Sequence, residues 1–273
     1  MQKPAIYVST FGKKVLNVHG GIPIEVGACK RNNFLYINRD DTGDNISNEN
    51  EYYGELSGLY WVWKNVNFKD DDIVGYCHYN KGLAVSKRTI EKFFKNCTNA
   101  DSENKSRQRW IALAPVQNRN HPIPDELDAI VYILKENYPD YYEEWKKQYD
   151  KEGAGKGAVC RTCNMFITTA YSMNQYGSFL FEVLGKMRHI VGDKPDADPN
   201  MRRYCAFMGE RLLSVYLALN ADEVLSVNAK YQQWYLNIIL WVTRRVKINR
   251  NSTIYKVMRS KLGCKSSYGR KSS

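Results

Sequence analysis

Three groups of polar residues have types and spacings that could do chemistry. The segment IVGYCHYNKG puts His78, Tyr79 and Lys81 at the end of an apolar, β-branched run that predicts a buried strand. A lysine there can neutralise a diphosphate, and a histidine can ligate a metal or donate to a phosphate. A packed histidine and a solvated lysine are the alternative. The segment DDTGDNIS gathers Asp40, Asp41, Asp44 and Asn45 in one loop. Such side chains can bind ribose hydroxyls, a nucleobase edge or a sugar, or they can build the turn by bonding their own backbone. Glu210 lies in the apolar helical stretch RRYCAFMGERLLSVYL, where a carboxylate must be paired, exposed or functional. Arg203 and Arg211 are the nearby candidates to pair with it.

Other motifs carry less. Cys160-Arg-Thr-Cys163 is a lone CxxC. Zinc needs four ligands, and no second pair has finger-like spacing. Asp70, Asp71 and Asp72 precede the strand and read as a solvated turn. KEGAGKG lacks the strand-to-helix frame of a phosphate loop, and no GxGxxG follows the first strand. A dinucleotide oxidoreductase is therefore disfavoured, and no GxSxG elbow points to a hydrolase.

The elements that must position these residues alternate. Strands are predicted at Ala5–Ser9, Phe34–Asn38, Ile73–Tyr79, Trp110–Val116, Asn164–Thr168 and Glu223–Val227, the last of the series. GGIPIEVGA reads as a loop between the first two. Helical spacing predicts helices over Glu51–Asn65, Ser86–Lys95, Asp125–Tyr138, Asp140–Tyr149, Tyr171–Arg188 and Met201–Asn220. Strands alternating with helices predict an α/β sandwich with a largely parallel sheet. Ligands of such sheets bind at the carboxyl ends of the strands, where the loops at Asp40–Asn45 and His78–Lys81 fall.

The net charge is +11, with 40 basic against 29 acidic residues. Eleven of the basic residues, and no acid, lie from Lys230 onward, so the body is neutral and the tail carries the excess. The apolar, aromatic stretch Trp234–Val242 precedes most of these charges. The pair suits a segment lying on an anionic membrane, or a helix packed on the body with a solvated basic end. The division expected is 1–228 for the body and 229–273 for a membrane-surface segment. Seven cysteines, an odd number without scaffold-like spacing, point to a reducing compartment. No signal-peptide pattern and no run of membrane-spanning length are present. A neutral body without a recognition motif argues against nucleic acid as a partner.

Several blocks, in order, resemble one family. They are PIEVGA, DDTGDNIS, NEYYGELSGLYWVWKN, DDIVGYCHYNKG, NMFITTAYSMNQYGSFLFEVL and FMGERLLSVYL. The chain from about Ile6 to Val227 is similar to the capsular-polysaccharide-synthesis family catalogued as a domain of unknown function (four-four-two-two). Its members are taken to be glycosyltransferases. The resemblance implies a GT-A-like, Rossmann-type α/β/α sandwich with a mostly parallel central sheet and extra C-terminal helices. It implies transfer of a sugar from a nucleotide-sugar donor to a growing surface or capsular polysaccharide, and the basic tail adds the expectation of a lipid-linked acceptor at the cytoplasmic face of a membrane. On that basis His78, Tyr79 and Lys81 are expected at the donor diphosphate, and Asp41, Asp44 and Asn45 at the nucleotide or donor sugar. Glu210 is the candidate acceptor base, with Glu55 behind it, and Asn164 and Trp63 are candidate acceptor or sugar contacts. The chain departs from the family's His-Tyr-Arg-Arg block, with Asn80 and Lys81 in place of both arginines. Arginine clamps phosphate through two parallel bonds and lysine does not. A non-catalytic carbohydrate- or nucleotide-sugar-binding protein is therefore the alternative. GT-A folds usually hold a divalent cation, Mn²⁺ or Mg²⁺, with an Asp-x-Asp motif. The His78 block contains none, so the metal ligands are unassigned.

Overall fold

β-Branched and aromatic runs alternate with helical apolar patterns, and they fold accordingly. The computed structural model describes residues 3–16, 20–95, 107–117, 124–149, 159–199, 201–232 and 237–238. The chain divides into two compact units, Met1–Ala229 and Lys230–Ser273. Most of the second unit, including most of Trp234–Val242, lies outside the described residues.

The first unit is built on a mixed sheet. Its strands are β1 (Ala5–Thr10), β2 (Ile22–Glu25), β3 (Ile73–His78), β4 (Lys81–Leu83), β5 (Arg109–Leu113), β8 (Phe166–Thr169) and β9 (Glu223–Val227). A two-stranded ribbon, β6 (Val116–Gln117) with β7 (Val159–Cys160), stands apart. Across the main sheet the order is β2-β1-β3-β8-β5-β9. The pairs β2/β1, β1/β3 and β5/β9 are parallel, and β8 runs antiparallel to both neighbours. All the strands on this path except β8 thus point their carboxyl ends the same way.

Side-chain alternation separates two cores. Tyr7, Val74, Tyr76, Trp110 and Phe166 face helices α2 (Leu56–Asn65), α4 (Pro124–Asn137), α5 (Pro139–Gln148), α6 (Ala170–Val191) and α7 (Tyr204–Asn220). Ile6, Val8, Cys77, Ile111 and Ile167 face the other way, onto Ile90 and Phe94 of α3 (Lys87–Phe94). The result is an α/β fold with helices on both faces of a mostly parallel sheet.

Four local expectations are corrected. GGIPIEVGA contains strand β2, and Phe34–Asn38 forms no strand. Pro23 has no N–H to donate, which an edge strand tolerates, and among the described strands β2 pairs with β1 alone, Glu25 adding a single bridge to Arg39 on its outer side. Leu35 and Ile37 instead point outward, 57% and 96% exposed. The helix expected at Glu51–Asn65 breaks into α1 (Asn50–Tyr53) and α2 because Gly54 adopts φ 55°, ψ −129°. A further strand, Ala229–Tyr231, follows Glu223–Val227.

Candidate active site

The ends of β1 and β3 lie side by side, with Ser9 opposite His78. Tyr79 and Asn80 form a two-residue turn that brings Lys81 back opposite His78. The break at Gly54 aims the first turn of α2 at the same point. That turn is held by Asp40, whose carboxylate accepts from Ser57 Oγ (2.6 Å), Ser47 Oγ (2.6 Å) and the N–H groups of Gly27 and Ala28. Asp40 is wholly buried and fully engaged, so it builds this corner of the fold.

Titratable groups from five chain segments converge here. Arg203, which precedes α7, donates to Glu55 Oε2 at 2.6 Å. His78 Nε2 stands 3.7 Å from Glu55 Oε1, beyond hydrogen-bond range. Lys81 Nζ points at Cys163 Sγ, 2.6 Å away. Cys163 holds the left-handed backbone at φ 66°, uncommon outside glycine, and lies just before β8. Its backbone N–H bonds the carboxylate of Glu210, from the middle of α7.

The two carboxylates are tuned in opposite directions. Burial pushes Glu210 up to about 7, and the neighbouring Glu55 charge adds to this, against Lys81 and the Cys163 bond. Burial also acts to raise Glu55, but its positive neighbours outweigh it and hold Glu55 below its usual value. Burial pulls His78 down to about 4, helped by Lys81 and Arg203 and opposed by Glu55. The lowering of Glu55 comes first from His78, then from Arg203 and Lys81; with the imidazole neutral near pH 7, Arg203 and Lys81 are the cations left to favour the ionised carboxylate. Burial lifts the Cys163 thiol to about 11, so no thiolate is at hand. Cys160 and Cys163 are both buried and unlinked.

Of the residues singled out in the sequence, Glu55, His78, Lys81 and Glu210 are brought together. Tyr79 sits beside them on the turn, its carbonyl accepting from Leu16 N–H. Asn164 is buried behind them against α7. Its Nδ2 donates to the Ala206 carbonyl, and a Cβ on Gly209 would lie 3.3 Å from its amide. The acidic loop lies elsewhere. Asp44 N–H bonds Asn65 Oδ1 at the far end of α2, ten residues or about 15 Å from Glu55. Asn45 bonds Gly43 and Ser47 within its own turn, and Asp41 lies 3.2 Å from Arg39. Trp63 stacks on Phe181 at 5.5 Å, between α2 and α6. Among the described residues, no group of three or more His, Cys, Asp or Glu side chains is placed to hold a metal ion.

A family model described as "Domain of unknown function (DUF4422)" matches residues 6–221. The chain belongs to that family. The DUF4422 match takes in every residue of the charged cluster, from Glu55 to Glu210, and ends before Lys230. No curated protein matches the chain. Among solved structures it resembles one titled as the apo structure of the bifunctional glycosyltransferase WbbM. The TM-score is 0.66 at 21% identity, over 85% of this chain and 46% of that one. The chain thus spans about half of that structure's length. The likeness establishes the fold, an α/β architecture resembling a glycosyltransferase fold.

Two members of the cluster have weak signals in the sequence. Arg203 appears there as a candidate partner of Glu210, but it pairs with Glu55 instead. Its trace is Gly54, whose Cβ would sit 2.8 Å from the Arg203 guanidinium. Cys163 reads as half of an empty CxxC, and only its contact with Lys81 gives it a place.

Proposed function

We propose that this DUF4422 protein is a glycosyltransferase acting on a nucleotide-sugar donor, with its active site at Glu55, His78, Lys81, Arg203 and Glu210. The observation that carries the proposal is the opposed tuning of Glu55 and Glu210 in one buried cluster at the carboxyl ends of parallel strands. Two carboxylates driven apart in this way divide acid–base work between them.

In the reaction proposed, an acceptor hydroxyl attacks the anomeric carbon while the bond to the donor diphosphate breaks. Glu210, near 7, takes the hydroxyl proton. The leaving diphosphate gains negative charge, which Lys81 and the outer edge of Arg203 stabilise. The Arg203 side chain is 37% exposed and can reach a ligand while bonded to Glu55. A guanidinium thus approaches the site from the start of α7, although Asn80 and Lys81 replace the hairpin arginines. Neutral His78 shapes the donor pocket without adding charge, and Tyr79 flanks it. Asn164, buried behind the cluster, supports the Glu210 side of the site. Asp41, Asp44, Asn45 and Trp63 are given no part. A Mn²⁺ or Mg²⁺ ion here would take at most one or two protein ligands from the described residues and the rest of its shell from donor phosphates and water. The acceptor proposed is a lipid-linked glycan met at the inner face of a membrane, with the basic tail on the anionic surface.

A panel of nucleotide-sugars, with and without Mn²⁺, tests this directly. Donor-specific release of a nucleoside diphosphate is expected, and Glu210→Gln should abolish it while preserving nucleotide binding. Tight donor binding with no turnover under any condition would favour the non-catalytic alternative, which the missing arginine pair supports.

A further inference from the structure

A cavity of about 280 Å³ lies between α7, the end of α5 and the β5/β9 side of the sheet, and the chemistry proposed above leaves it unused. Its volume is just under the ~300–1,000 Å³ of pockets that enclose drug-sized ligands, so it suits one sugar-sized group. Pro115, Leu217 and Val224 form an apolar wall, and Gln148, Arg161 and Ser214 supply the polar one.

The polar wall is built from held side chains. Arg161 N–H donates to Ser214 Oγ at 2.7 Å. Gln148 Nε2 donates to Glu144 Oε1 at 2.9 Å and to the Ser214 carbonyl at 3.3 Å. The Arg161 guanidinium donates through Nη1 to the Leu113 carbonyl and to Ser226 Oγ. Both of those acceptors are neutral. Arg31, Arg109, Arg188 and Arg203 each pair with an acid, whereas no carboxylate among the described residues pairs with Arg161. Burial lowers Arg161 from its ordinary value, with no acidic neighbour to oppose it. A partly buried cation held by neutral groups carries a desolvation cost that a bound anion would offset. Nε and Nη2 share one edge of the planar group and bond no other described residue. Such an edge takes a carboxylate or a phosphate through two parallel N–H···O bonds.

The cavity adjoins the transfer site. Ser214 follows Glu210 by four residues, one turn or about 6 Å along the same face of α7, and its Oγ donates to the Glu210 carbonyl. Arg161 and Cys163, two residues apart, bond Ser214 and the Glu210 carboxylate respectively. An acceptor whose hydroxyl meets Glu210 therefore has its neighbouring groups close to Arg161.

We infer that this cavity is an acceptor subsite for one anionic group, a carboxylate or a phosphate, gripped by Arg161 and covered by Pro115, Leu217 and Val224. Its role for the acceptor rests on the sugar-transfer reading, and the capture of an anion does not.

Titration calorimetry of the full chain with glucuronate, glucose 6-phosphate and glucose is the test. At least one of the two anions should bind, and glucose at least about tenfold more weakly. Preference for glucuronate would point to an acidic sugar in the acceptor, and preference for glucose 6-phosphate to an acceptor phosphate. Arg161→Gln should weaken the anion by roughly 10- to 100-fold, and Arg161→Lys should retain part of its binding. Because Arg161 also ties Leu113 and Ser226, a second variant leaves it in place. Ala218 lines the cavity and is exposed, so Ala218→Phe fills the space without entering the core. It should abolish anion binding and leave the unfolding midpoint and nucleoside diphosphate binding unchanged. Glucose binding as tight as that of the anions would overturn the inference, as would the absence of anion binding. Anion binding unchanged in Ala218→Phe would do the same, since it would place the anion outside the cavity. Donor turnover without anion capture would sink this inference and leave the transfer proposal standing. Anion capture without any turnover would sink the acceptor role alone.

Discussion

Arg203 and Glu55 are 148 residues apart in the chain and meet at 2.6 Å. The pair ties the start of α7 to the start of α2, and it keeps a buried carboxylate charged beside a neutral histidine. Arg203→Ala leaves Glu55 buried without its nearest cation. Fully buried pairs lose about 3–5 kcal/mol when one partner is removed. With Arg203 37% exposed and partly screened, about 2 kcal/mol is expected, read from urea unfolding at neutral pH. Glu55 titrates below its usual value in the folded protein. Its contribution is therefore present above the unfolded carboxylate value and is lost as pH falls through the folded one. The difference between the unaltered chain and Arg203→Ala should accordingly narrow in acid.

Glu210 predicts the opposite limb. Its folded value of about 7 lies above the ordinary 4.5, so the native state binds the proton more tightly than the unfolded chain. Stability from this group is full below 4.5 and is lost as pH rises through 7. Glu210→Gln should therefore be more stable than the unaltered protein at pH 8, by on the order of 1–3 kcal/mol. Transfer activity should rise with pH through about 7 in the unaltered enzyme. A profile flat from pH 5 to 9 would remove Glu210 from the role of base.

What the sequence discloses and what it hides follow from the range of the interactions. The run IVGYCHY declares β3 because its packing partners are set by local alternation, and α6 shows its period over six turns. Strand β2 is hidden because Pro23 argues against a strand, and only its place at the sheet edge makes proline harmless. FLYIN misleads for the converse reason, since its composition suits a strand but Leu35 and Ile37 face outward. Within the site, His78 and Lys81 are legible as a strand end, and Glu210 as a carboxylate among apolar residues. The roles of Asp40 and Asp44 are not legible, because Ser57 and Asn65, which bind them, come from α2. The Arg203–Glu55 pair leaves no local pattern at all.

Lys81 separates donor binding from chemistry. Its ammonium is the cation of the β3–β4 hairpin nearest the cluster. A charge-assisted contact to phosphate contributes about 1.5–3 kcal/mol. Lys81→Ala should weaken nucleoside diphosphate binding by roughly 10- to 100-fold, measured by titration calorimetry. Lys81→Arg should retain more of it, since a guanidinium can engage two phosphate oxygens. Equal affinity for the alanine variant and the unaltered protein would move the diphosphate away from the hairpin.

Gly54 makes the sharpest structural prediction, because two independent demands fall on one residue. Its φ of 55° with ψ −129° is a backbone state that side chains oppose, and a Cβ there would lie 2.8 Å from Arg203 Nη2 and 2.9 Å from its Nε. Backbone strain of this kind costs about 1–3 kcal/mol. Gly54→Ala should therefore lose about that much stability, and it should also displace the guanidinium from Glu55. The displacement has its own signature. Donor affinity should fall in Gly54→Ala, and adding Gly54→Ala to Arg203→Ala should cost less stability than it does alone, because the clash is then gone. Strict additivity of the two substitutions would show that the glycine is required for the turn alone and that its close approach to Arg203 is incidental.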